Sequence, residues 1–356
     1  MSGNLHIAAG KKALSIIRTQ GLKPEMVKVM AGAAGGPKWL VLSGLDQAIC
    51  SNFIKYRSSP LFFMGSSIGA WRFAAYCHRD PLSAVKRLQS VYISQRYSEK
   101  PTTDEISRET LRVMNDFVGH KGIDEILDNP LFRLNILSSR CRGVVKVGNR
   151  AVLTAVLGLA ALFNMVNRKL LGIFFNRALF YDSRNKPPFF NMNDFKTETI
   201  SLSKKNLRPA MMASAAIPLV INAVKDIPGA ESGVYRDGGM IDYHHDIPFL
   251  NDENGIVLYP HYSDQIIPGW FDKPLKWRRP GNENIENVVL VSPSRSFIDK
   301  LPFRKIPDRK DFKNFKGNDV ERVAYWEKVT RESHLLGDEF INLVETEKIS
   351  EVIKPL

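Results

Sequence analysis

The chain has 356 residues, of which 44% are hydrophobic and 24% are charged. This composition is typical of a globular protein and excludes a disordered or fibrous chain. Fifty Lys and Arg residues against 37 Asp and Glu residues give a formal net charge of +13. Such a charge favours an anionic partner, which is a lipid surface, an acidic substrate or nucleic acid. Because the sequence contains no recognisable nucleic-acid-binding module, we expect no nucleic-acid partner.

Three cysteines, Cys50, Cys77 and Cys141, are too few and too scattered for a disulfide framework or a zinc site. We expect them to be reduced and mostly buried, which fits a cytoplasmic protein. Residues 1–20 have no uninterrupted apolar core and no small-residue cleavage site, so a signal peptide is not expected. No segment reaches the length and apolarity of a membrane span. The sequence thus predicts a cytoplasmic location and leaves peripheral membrane binding open.

Hydrophobic periodicity and glycine turns predict a series of strands and helices. In chain order these are a helix over the first twenty residues, a strand at 26–31, a helix at 39–50, a strand at 61–64, helices at 70–78, 85–95, 103–117 and 151–167, strands at 199–202, 234–236, 256–259 and 288–292, a basic surface loop at 301–316 and an amphipathic helix at 320–345. Alternation of strand, glycine turn and helix indicates a sheet with helices on both faces. We therefore predict one α/β domain over residues 1–356, with a central, mostly parallel sheet and helical insertions.

A glycine-rich stretch at 32–38 follows the first predicted strand and precedes a helix. Gly35 and Gly36 leave their backbone N–H groups unobstructed, so these groups can converge on an anion. Pro37 suits a first helical position, and Lys38 adds a positive charge nearby. The patterns G-x-x-x-x-G-K-[ST] and G-x-G-x-x-G are absent. We therefore interpret the stretch as an oxyanion loop rather than a phosphate-binding loop, and a plain glycine-rich turn stays open.

A G-x-S-x-G motif, with Gly65, Ser67 and Gly69 at its fixed positions, lies between a predicted strand and a predicted helix. A serine on such a tight turn has a strained backbone, and glycines two residues away let neighbouring chains pass without Cβ clashes. Its hydroxyl then projects above the sheet at the positive end of the helix. The motif predicts that Ser67 is a nucleophile, although five positions are short enough to match by chance.

Residues 151–167 carry no charge and are followed by a second apolar block at 170–175. Seventeen uncharged residues lie at the lower limit for spanning a bilayer. Two interpretations remain. The segment is either a buried core helix, or an interfacial patch whose apolar side chains enter lipid while Arg150, Arg168 and Lys169 meet the head groups of an anionic membrane. Aromatic and basic residues at 270–279 have the same character.

An aspartate followed by two glycines, Asp237, Gly238 and Gly239, ends another predicted strand. This arrangement places a carboxylate on a loop whose backbone can approach a reaction site closely, but alone it is also a common turn.

The glycine loop, the elbow and the D-G-G motif, in this order, resemble the patatin-like phospholipase family. The segment at 213–218, Ala-Ser-Ala-Ala-Ile-Pro, is similar to the A-S-x-A-x-P segment that this family places before its D-G-G. The resemblance covers residues from about 26 to 250, and residues 251–356 complete or flank that core. It implies a three-layer α/β/α patatin-like fold with Gly35 and Gly36 in the oxyanion hole, Ser67 as nucleophile and Asp237 as base.

The resemblance further implies a serine lipid acyl hydrolase of phospholipase or lysophospholipase type that needs no cofactor and no metal. Its substrate would be a lipid or phospholipid. The chain departs from the family pattern at Ala33, Lys38 and Trp39, and in the residues after the D-G-G motif, so we expect a divergent member. Two alternatives stay open: a hydrolase of soluble esters or thioesters with the same site, and a non-catalytic lipid-binding or interaction protein on the same fold.

His244 and His245 follow Asp237 so closely that a histidine base must be considered. A serine, aspartate and histidine in this order occur in α/β-hydrolases, but too few residues separate them here for a further strand. Asp242 and Asp246 flank the histidines without a spacing diagnostic of a metal site. Hydrogen-bonded loop histidines are the expected role.

Overall fold

The strands of the chain form one mixed sheet in a computed structural model, which describes residues 3–146, 149–250 and 254–356. Its strands in these ranges are β1 (Leu5–Ala9), β2 (Val27–Gly32), β3 (Leu61–Ser66), β4 (Phe132–Cys141), β5 (Phe175–Tyr181), β6 (Thr197–Ser201), β7 (Val224–Lys225), β8 (Val234–Asp237), β9 (Ile256–Pro260), β10 (Val288–Pro293) and β11 (Lys354–Pro355). They lie in the order β11-β1-β10-β9-β2-β3-β4-β5-β6, while β8 pairs with β4 and β7 pairs with β8. Most of the neighbouring pairs are parallel.

Helices cover the sheet and connect its strands. They are α1 (Lys11–Gln20), α2 (Ser43–Ala48), α3 (Ile68–Tyr76), α4 (Pro81–Ile93), α5 (Thr103–Val118), α6 (Gly122–Asp128), α7 (Arg150–Val166), α8 (Leu207–Ala215), α9 (Asn282–Ile285), α10 (Arg295–Ile298), α11 (Asp311–Asn314), α12 (Asp319–Glu332), α13 (His334–Glu345) and α14 (Ile349–Val352). Every residue of β9 and β10 is buried, which requires cover on both faces of the sheet. The predicted α/β class with a central, mostly parallel sheet is confirmed. The arrangement is consistent with three layers, in which the sheet lies between helices.

Strand β4 organises the part of the sheet that matters for function. Along one edge, the first half of β4 pairs in parallel with β3, and the last pair in this register is Ser66 of β3 with Leu137 of β4. Its second half pairs with β8 in antiparallel fashion, beginning with Ser138 opposite Asp237. Because β3 and β8 run toward each other along β4, their carboxyl ends meet at consecutive residues of this strand. The residues that follow these two ends are therefore neighbours.

Several elements differ from the sequence prediction. The first twenty residues are not one helix, because Leu5–Ala9 forms β1 between β10 and β11. This run is too short to indicate a strand, and only its sheet partners supply its hydrogen bonds. The strands β4 and β5 were not predicted. In β4 buried polar residues interrupt the apolar pattern, and in β5 the strand follows an apolar block that reads as helix.

Two predicted helices are also interrupted. The predicted helix at 39–50 is replaced by three short elements, which are a 3-10 helix (Gly36–Leu42), α2 and a π-helix (Ile49–Phe53). The predicted helix at 320–345 is two helices, α12 and α13, which meet at Ser333. The Ser333 hydroxyl accepts a hydrogen bond from the Gly44 N–H at 2.8 Å and donates one to the Thr330 carbonyl at 2.7 Å. The break thus lies where α13 packs against α2.

The apolar side chains form two clusters. The larger one surrounds the sheet, and the smaller one contains the inner face of α7 together with Phe174, Phe175, Met240 and Phe271. Cys50, Cys77 and Cys141 are buried, as predicted, and none of the three forms a disulfide. Within the described ranges, no helix combines the length and apolarity that crossing a membrane requires.

Candidate active site

Ser67 lies on a sharp turn between the end of β3 and the start of α3. Its backbone φ of 54° and ψ of −127° are strained for a residue with a side chain, and it is 3% exposed. A Cβ atom at Gly69 would lie 1.9 Å from the Gly32 carbonyl oxygen, and one at Gly65 would lie 2.4 Å from the Ala70 nitrogen. Both glycines are therefore required by close backbone approach, as the G-x-S-x-G motif predicts.

The Ser67 hydroxyl donates a hydrogen bond to Asp237. Its Oγ atom lies 2.9 Å from Asp237 Oδ2, and Asp237 Oδ1 accepts a hydrogen bond of 2.7 Å from the Gly239 N–H. A Cβ atom at Gly238 would lie 2.2 Å from the Leu137 carbonyl oxygen, so this glycine lets the loop lie flat against β4. A carboxylate bonded in this way can take the hydroxyl proton as the oxygen attacks.

Ser214, at the end of α8, holds the turn in place. Its hydroxyl accepts a hydrogen bond of 2.8 Å from the Ser67 N–H and donates one of 2.6 Å to the Leu137 carbonyl. The turn is thereby tied to β4 near the point where β3 and β8 meet. Residues 213–218 stood out in the sequence, but this role of Ser214 could not be derived from it.

Burial raises the pKa of Asp237 above its ordinary value. The Arg309 guanidinium, the Gly239 N–H and the Ser67 hydroxyl act in the opposite direction by stabilising the charged form. The side chain is 6% exposed. A buried carboxylate of raised pKa is a stronger base than one in water, so this environment suits proton transfer from a serine.

The glycine-rich loop follows β2, directly beside the turn at the end of β3. The Ala34 N–H donates to the Tyr243 carbonyl at 2.9 Å, and the Tyr262 hydroxyl donates to the Ala34 carbonyl at 2.6 Å. A Cβ atom at Gly35 would lie 2.5 Å from the Tyr262 ring, and Gly36 has a φ of 57°. Within the described ranges the N–H groups of Gly35 and Gly36 have no hydrogen-bond partner, so they are available to an oxyanion.

An apolar cavity of about 330 Å³ begins at Ser67. Its lining is mostly aromatic and aliphatic, including Ile68, Trp71, Tyr92, Ile106, Val113, Ile217, Val220, Ile221 and Phe312. Gly36 and Pro37 of the glycine loop line the cavity together with Ser67. Apart from Arg309, such a lining is uncharged and suits a hydrocarbon chain whose carbonyl carbon lies at the serine.

A second, cationic cleft of about 340 Å³ contains Asp237 and is lined by Lys38, Lys273, Arg309 and Lys310. Ile217 and Arg309 line both the apolar cavity and the cationic cleft. Among the described residues, none of the four cations has a carboxylate oxygen within 4.0 Å. They therefore leave a local excess of positive charge beside the serine–aspartate pair.

Lys38, which we predict beside the oxyanion hole, lines this cleft together with Asp237. Its ammonium lies 4.9 Å from the centre of the Tyr262 ring. Arg309 covers the glycine loop, since a Cβ atom at Gly36 would lie 2.9 Å from its Nε atom. Lys273, Arg309 and Lys310 were not predicted as site residues. In the sequence, Arg309 and Lys310 lie in the basic stretch at 301–316, and Lys273 lies in the aromatic and basic stretch at 270–279. The stretch at 301–316 is not simply a surface loop, because Asp311 within it is fully buried.

His244 and His245 form hydrogen bonds with residues other than Ser67 and Asp237. His244 Nδ1 accepts from the Ile267 N–H at 2.9 Å, so Nε2 carries the proton and donates to the Tyr262 hydroxyl at 2.7 Å. His245 Nε2 donates to the Gly32 carbonyl at 2.9 Å. Burial lowers the pKa of both rings, so both are neutral at pH 7. They support the glycine loop and β2, while the hydrogen bond of Ser67 goes to Asp237.

The carboxylates next to these histidines have other partners. Both oxygens of Asp242 accept from the Arg177 guanidinium at 2.7 Å, and Asp246 accepts from the Gly281 N–H at 2.8 Å. In the part of the chain that the structure describes, no three His, Cys, Asp or Glu side chains are grouped to hold a metal ion.

Among known proteins, similarity to this chain is found only at the level of distant structural likeness. No protein-family model and no curated protein matches the chain. Among solved structures, VipD from Legionella pneumophila is similar at a TM-score of 0.34 and 10% identity, over 67% of this chain. The chain spans about half of the length of that chain, 50%. At these values the likeness supports no argument about function, which therefore depends on the site itself.

Proposed function

We propose that the chain is a serine hydrolase that cleaves carboxylic esters of lipids, with Ser67 as nucleophile and Asp237 as its base. The observation that carries this proposal is the 2.9 Å hydrogen bond between the two side chains, formed on a strained elbow at the end of an apolar cavity. A nucleophile, a base and a space for substrate thus coincide at one point of the fold.

In the proposed reaction the Ser67 oxygen attacks the ester carbonyl carbon while Asp237 takes the hydroxyl proton. The negative charge on the carbonyl oxygen is stabilised by the N–H groups of Gly35 and Gly36. The C–O bond to the alcohol then breaks, and Asp237 returns the proton to the leaving alkoxide. Asp237 next deprotonates a water molecule that attacks the acyl-serine, and the proton goes back to Ser67 as the fatty acid leaves.

The two spaces beside Ser67 support a substrate with one apolar and one anionic end. The apolar cavity accommodates an acyl chain, and the cationic cleft of Lys38, Lys273, Arg309 and Lys310 accommodates a phosphate-bearing alcohol. A phospholipid or lysophospholipid has both ends. A soluble ester or thioester uses the same pair of residues but leaves the apolar cavity empty, so the lipid substrate is the better match.

The order of the motifs supports a divergent member of the patatin-like family with one domain over residues 1–356. It supplies a reason for the serine–aspartate pair, because that family uses a dyad without histidine. No cofactor is needed for the proposed reaction. Three buried cysteines that form no disulfide support a reducing compartment such as the cytoplasm.

The first prediction concerns Ser67. Wild-type protein and Ser67→Ala, Asp237→Asn and Ser66→Ala variants are incubated with a fluorophosphonate probe and assayed on a monoacyl phospholipid. We expect labelling and hydrolysis to vanish in Ser67→Ala, and hydrolysis to fall about 10³-fold or more in Asp237→Asn because the base is lost. Ser66→Ala is the matched control, since the buried Ser66 hydroxyl has no hydrogen-bond partner within the described ranges.

Each alternative has its own outcome. Labelling of the wild type with turnover only of short, soluble esters would favour the soluble-ester hydrolase. A folded wild type that is neither labelled nor active would favour a non-catalytic lipid-binding protein. Full activity of Asp237→Asn would contradict the dyad.

A further inference from the structure

Helix α7 exposes an apolar stripe. Its inner face is buried against the smaller hydrophobic cluster, while Val152, Leu159, Leu162 and Val166 point outward and are 40% to 81% exposed. These positions recur at helical spacing, so they form one continuous line along the helix. Exposed apolar side chains that adjoin one another in this way are unusual on a surface that faces only water.

The surroundings of this stripe are aromatic and cationic. Ile173 and Trp277 are exposed by 52% and 67%, and the Arg278 guanidinium donates to the Asn164 carbonyl of α7 at 2.8 Å, which brings the segment of Trp277 to the end of the helix. We call Val152, Leu159, Leu162, Val166, Ile173 and Trp277 the docking face. Exposed cations at 142, 150, 169, 276 and 279 surround it.

The exposed charged residues next to the docking face in the chain are cations, namely Arg142, Arg150, Lys169, Lys276 and Arg279. Residues 129–181, which include α7, contain no Asp or Glu. An apolar stripe beside an exposed tryptophan and cations matches the interface of an anionic bilayer, where side chains enter the acyl region and cations meet the head groups. A protein partner would not require this uniform sign.

Both ends of α7 are hydrogen-bonded to residues that adjoin the lining of the cationic cleft in the chain. At its start, Arg150 donates to the Leu219 carbonyl at 2.9 Å, next to Pro218 of the lining. Near its end, Asn164 donates to Asp272 at 2.7 Å, next to Lys273 of the lining. The segments that line the cleft are thus joined directly to α7, the helix that carries most of the docking face.

We propose that the docking face binds the surface of an anionic membrane and so holds the cleft at the lipid interface. Binding itself follows from the apolar and cationic side chains. The delivery of substrate to Ser67 rests on the proposed function. The helix lies along the interface, and its apolar line enters the boundary between head groups and acyl chains.

The test compares Val166→Asp with Val320→Asp by sedimentation with vesicles. Both valines are exposed on helices, by 81% and 75%, but Val320 lies on α12. Vesicles contain phosphatidylcholine alone or with phosphatidylserine, at low and high salt. We expect wild type and Val320→Asp to bind the anionic vesicles at low salt, with binding weakened by high salt, and Val166→Asp to bind roughly tenfold more weakly, because it places a carboxylate in the apolar line.

A second readout separates this proposal from the catalytic one. Hydrolysis of a monomeric, short-chain ester should be equal in Val166→Asp and wild type, whereas hydrolysis of vesicle lipid should fall with binding. If the wild type binds vesicles but hydrolyses neither substrate, the proposed hydrolase function is contradicted while membrane binding by the docking face is still supported. Equal vesicle binding by Val166→Asp and wild type would overturn the docking face, and so would a wild-type dimer that Val166→Asp converts to monomer, since a second copy would then cover the stripe.

Discussion

At the scale of single residues, the environment of Asp237 decides the chemistry. Burial raises the pKa of this carboxyl, while the Arg309 guanidinium lowers it again. The two effects have different origins, since desolvation disfavours any charge and the guanidinium favours the negative one. Arg309 comes from a distant basic segment, so the base strength of Asp237 is set by two parts of the chain that the sequence does not connect.

The second prediction follows from this balance. Asp237 acts only when ionised, so kcat/KM for a soluble ester should fall as pH decreases through its raised pKa. Arg309→Gln removes the opposing positive charge, and the acid limb of the pH profile should therefore move to higher pH. The profile of Lys310→Gln is the matched comparison, because Lys310 is not among the main charges that act on Asp237.

An unchanged acid limb in Arg309→Gln would contradict this account of Asp237. A limb that moves to lower pH would contradict it as well, because the loss of a nearby positive charge raises the pKa of any titrating group.

At the scale of elements, the site depends on two strands that end at the same place on β4. The turn after β3 and the loop after β8 face each other because Leu137 and Ser138 are consecutive partners. Only glycine permits the packing there, since a Cβ atom at Gly69 would lie 1.9 Å from a backbone oxygen of the neighbouring strand. A small shift of either strand end would separate Ser67 from Asp237.

The third prediction concerns these glycines. Gly69→Ala should lower the free energy of unfolding by roughly 3 kcal/mol or more, because backbone atoms must move to admit the methyl group. Gly158→Ala on α7 is the control. A Cβ atom there meets open space, so the change should raise the free energy of unfolding by about 0.5–1 kcal/mol. Urea titrations of both variants measure these differences, and equal stability of the two would refute the packing argument.

At the scale of the whole molecule, positive charge is concentrated where the proposed substrate enters. The net charge of +13 is spread over 356 residues, but four cations without a carboxylate partner in the described ranges line one cleft. A field of this kind attracts anions and raises their local concentration at the site. It should therefore distinguish anionic from neutral lipids more than it changes the rate of the chemical step.

The fourth prediction tests this selectivity. Lys273→Met should raise KM for a monoacyl phospholipid several-fold and leave KM for a neutral monoacylglycerol nearly unchanged, because only the phosphate loses an ionic partner. Lys313→Met, at an exposed lysine of the basic stretch at 301–316 that does not line the cleft, should change neither value. Equal losses on both lipids in Lys273→Met would assign the residue to packing instead of head-group binding.

The sequence by itself determined the α/β class, most strands around the motifs and the special positions of Gly65, Ser67, Gly69 and Asp237. These are local signals, because a tight turn and a close backbone approach permit few residue types at a given spacing. The same kind of signal predicted the apolar helix at 151–167, which is α7.

Only the tertiary structure decided which groups meet. The pairing of β3 and β8 along β4, the anchoring of the Ser67 turn by Ser214 and the position of Arg309 over Gly36 all join residues far apart in the chain. Long-range contacts leave no spacing to read, and neither β4 nor β1 has a pattern that separates it from its surroundings. The exposed face of α7 was likewise decided by the residues that pack against the helix. When a helix is apolar on all sides, its sequence pattern does not indicate which face is buried.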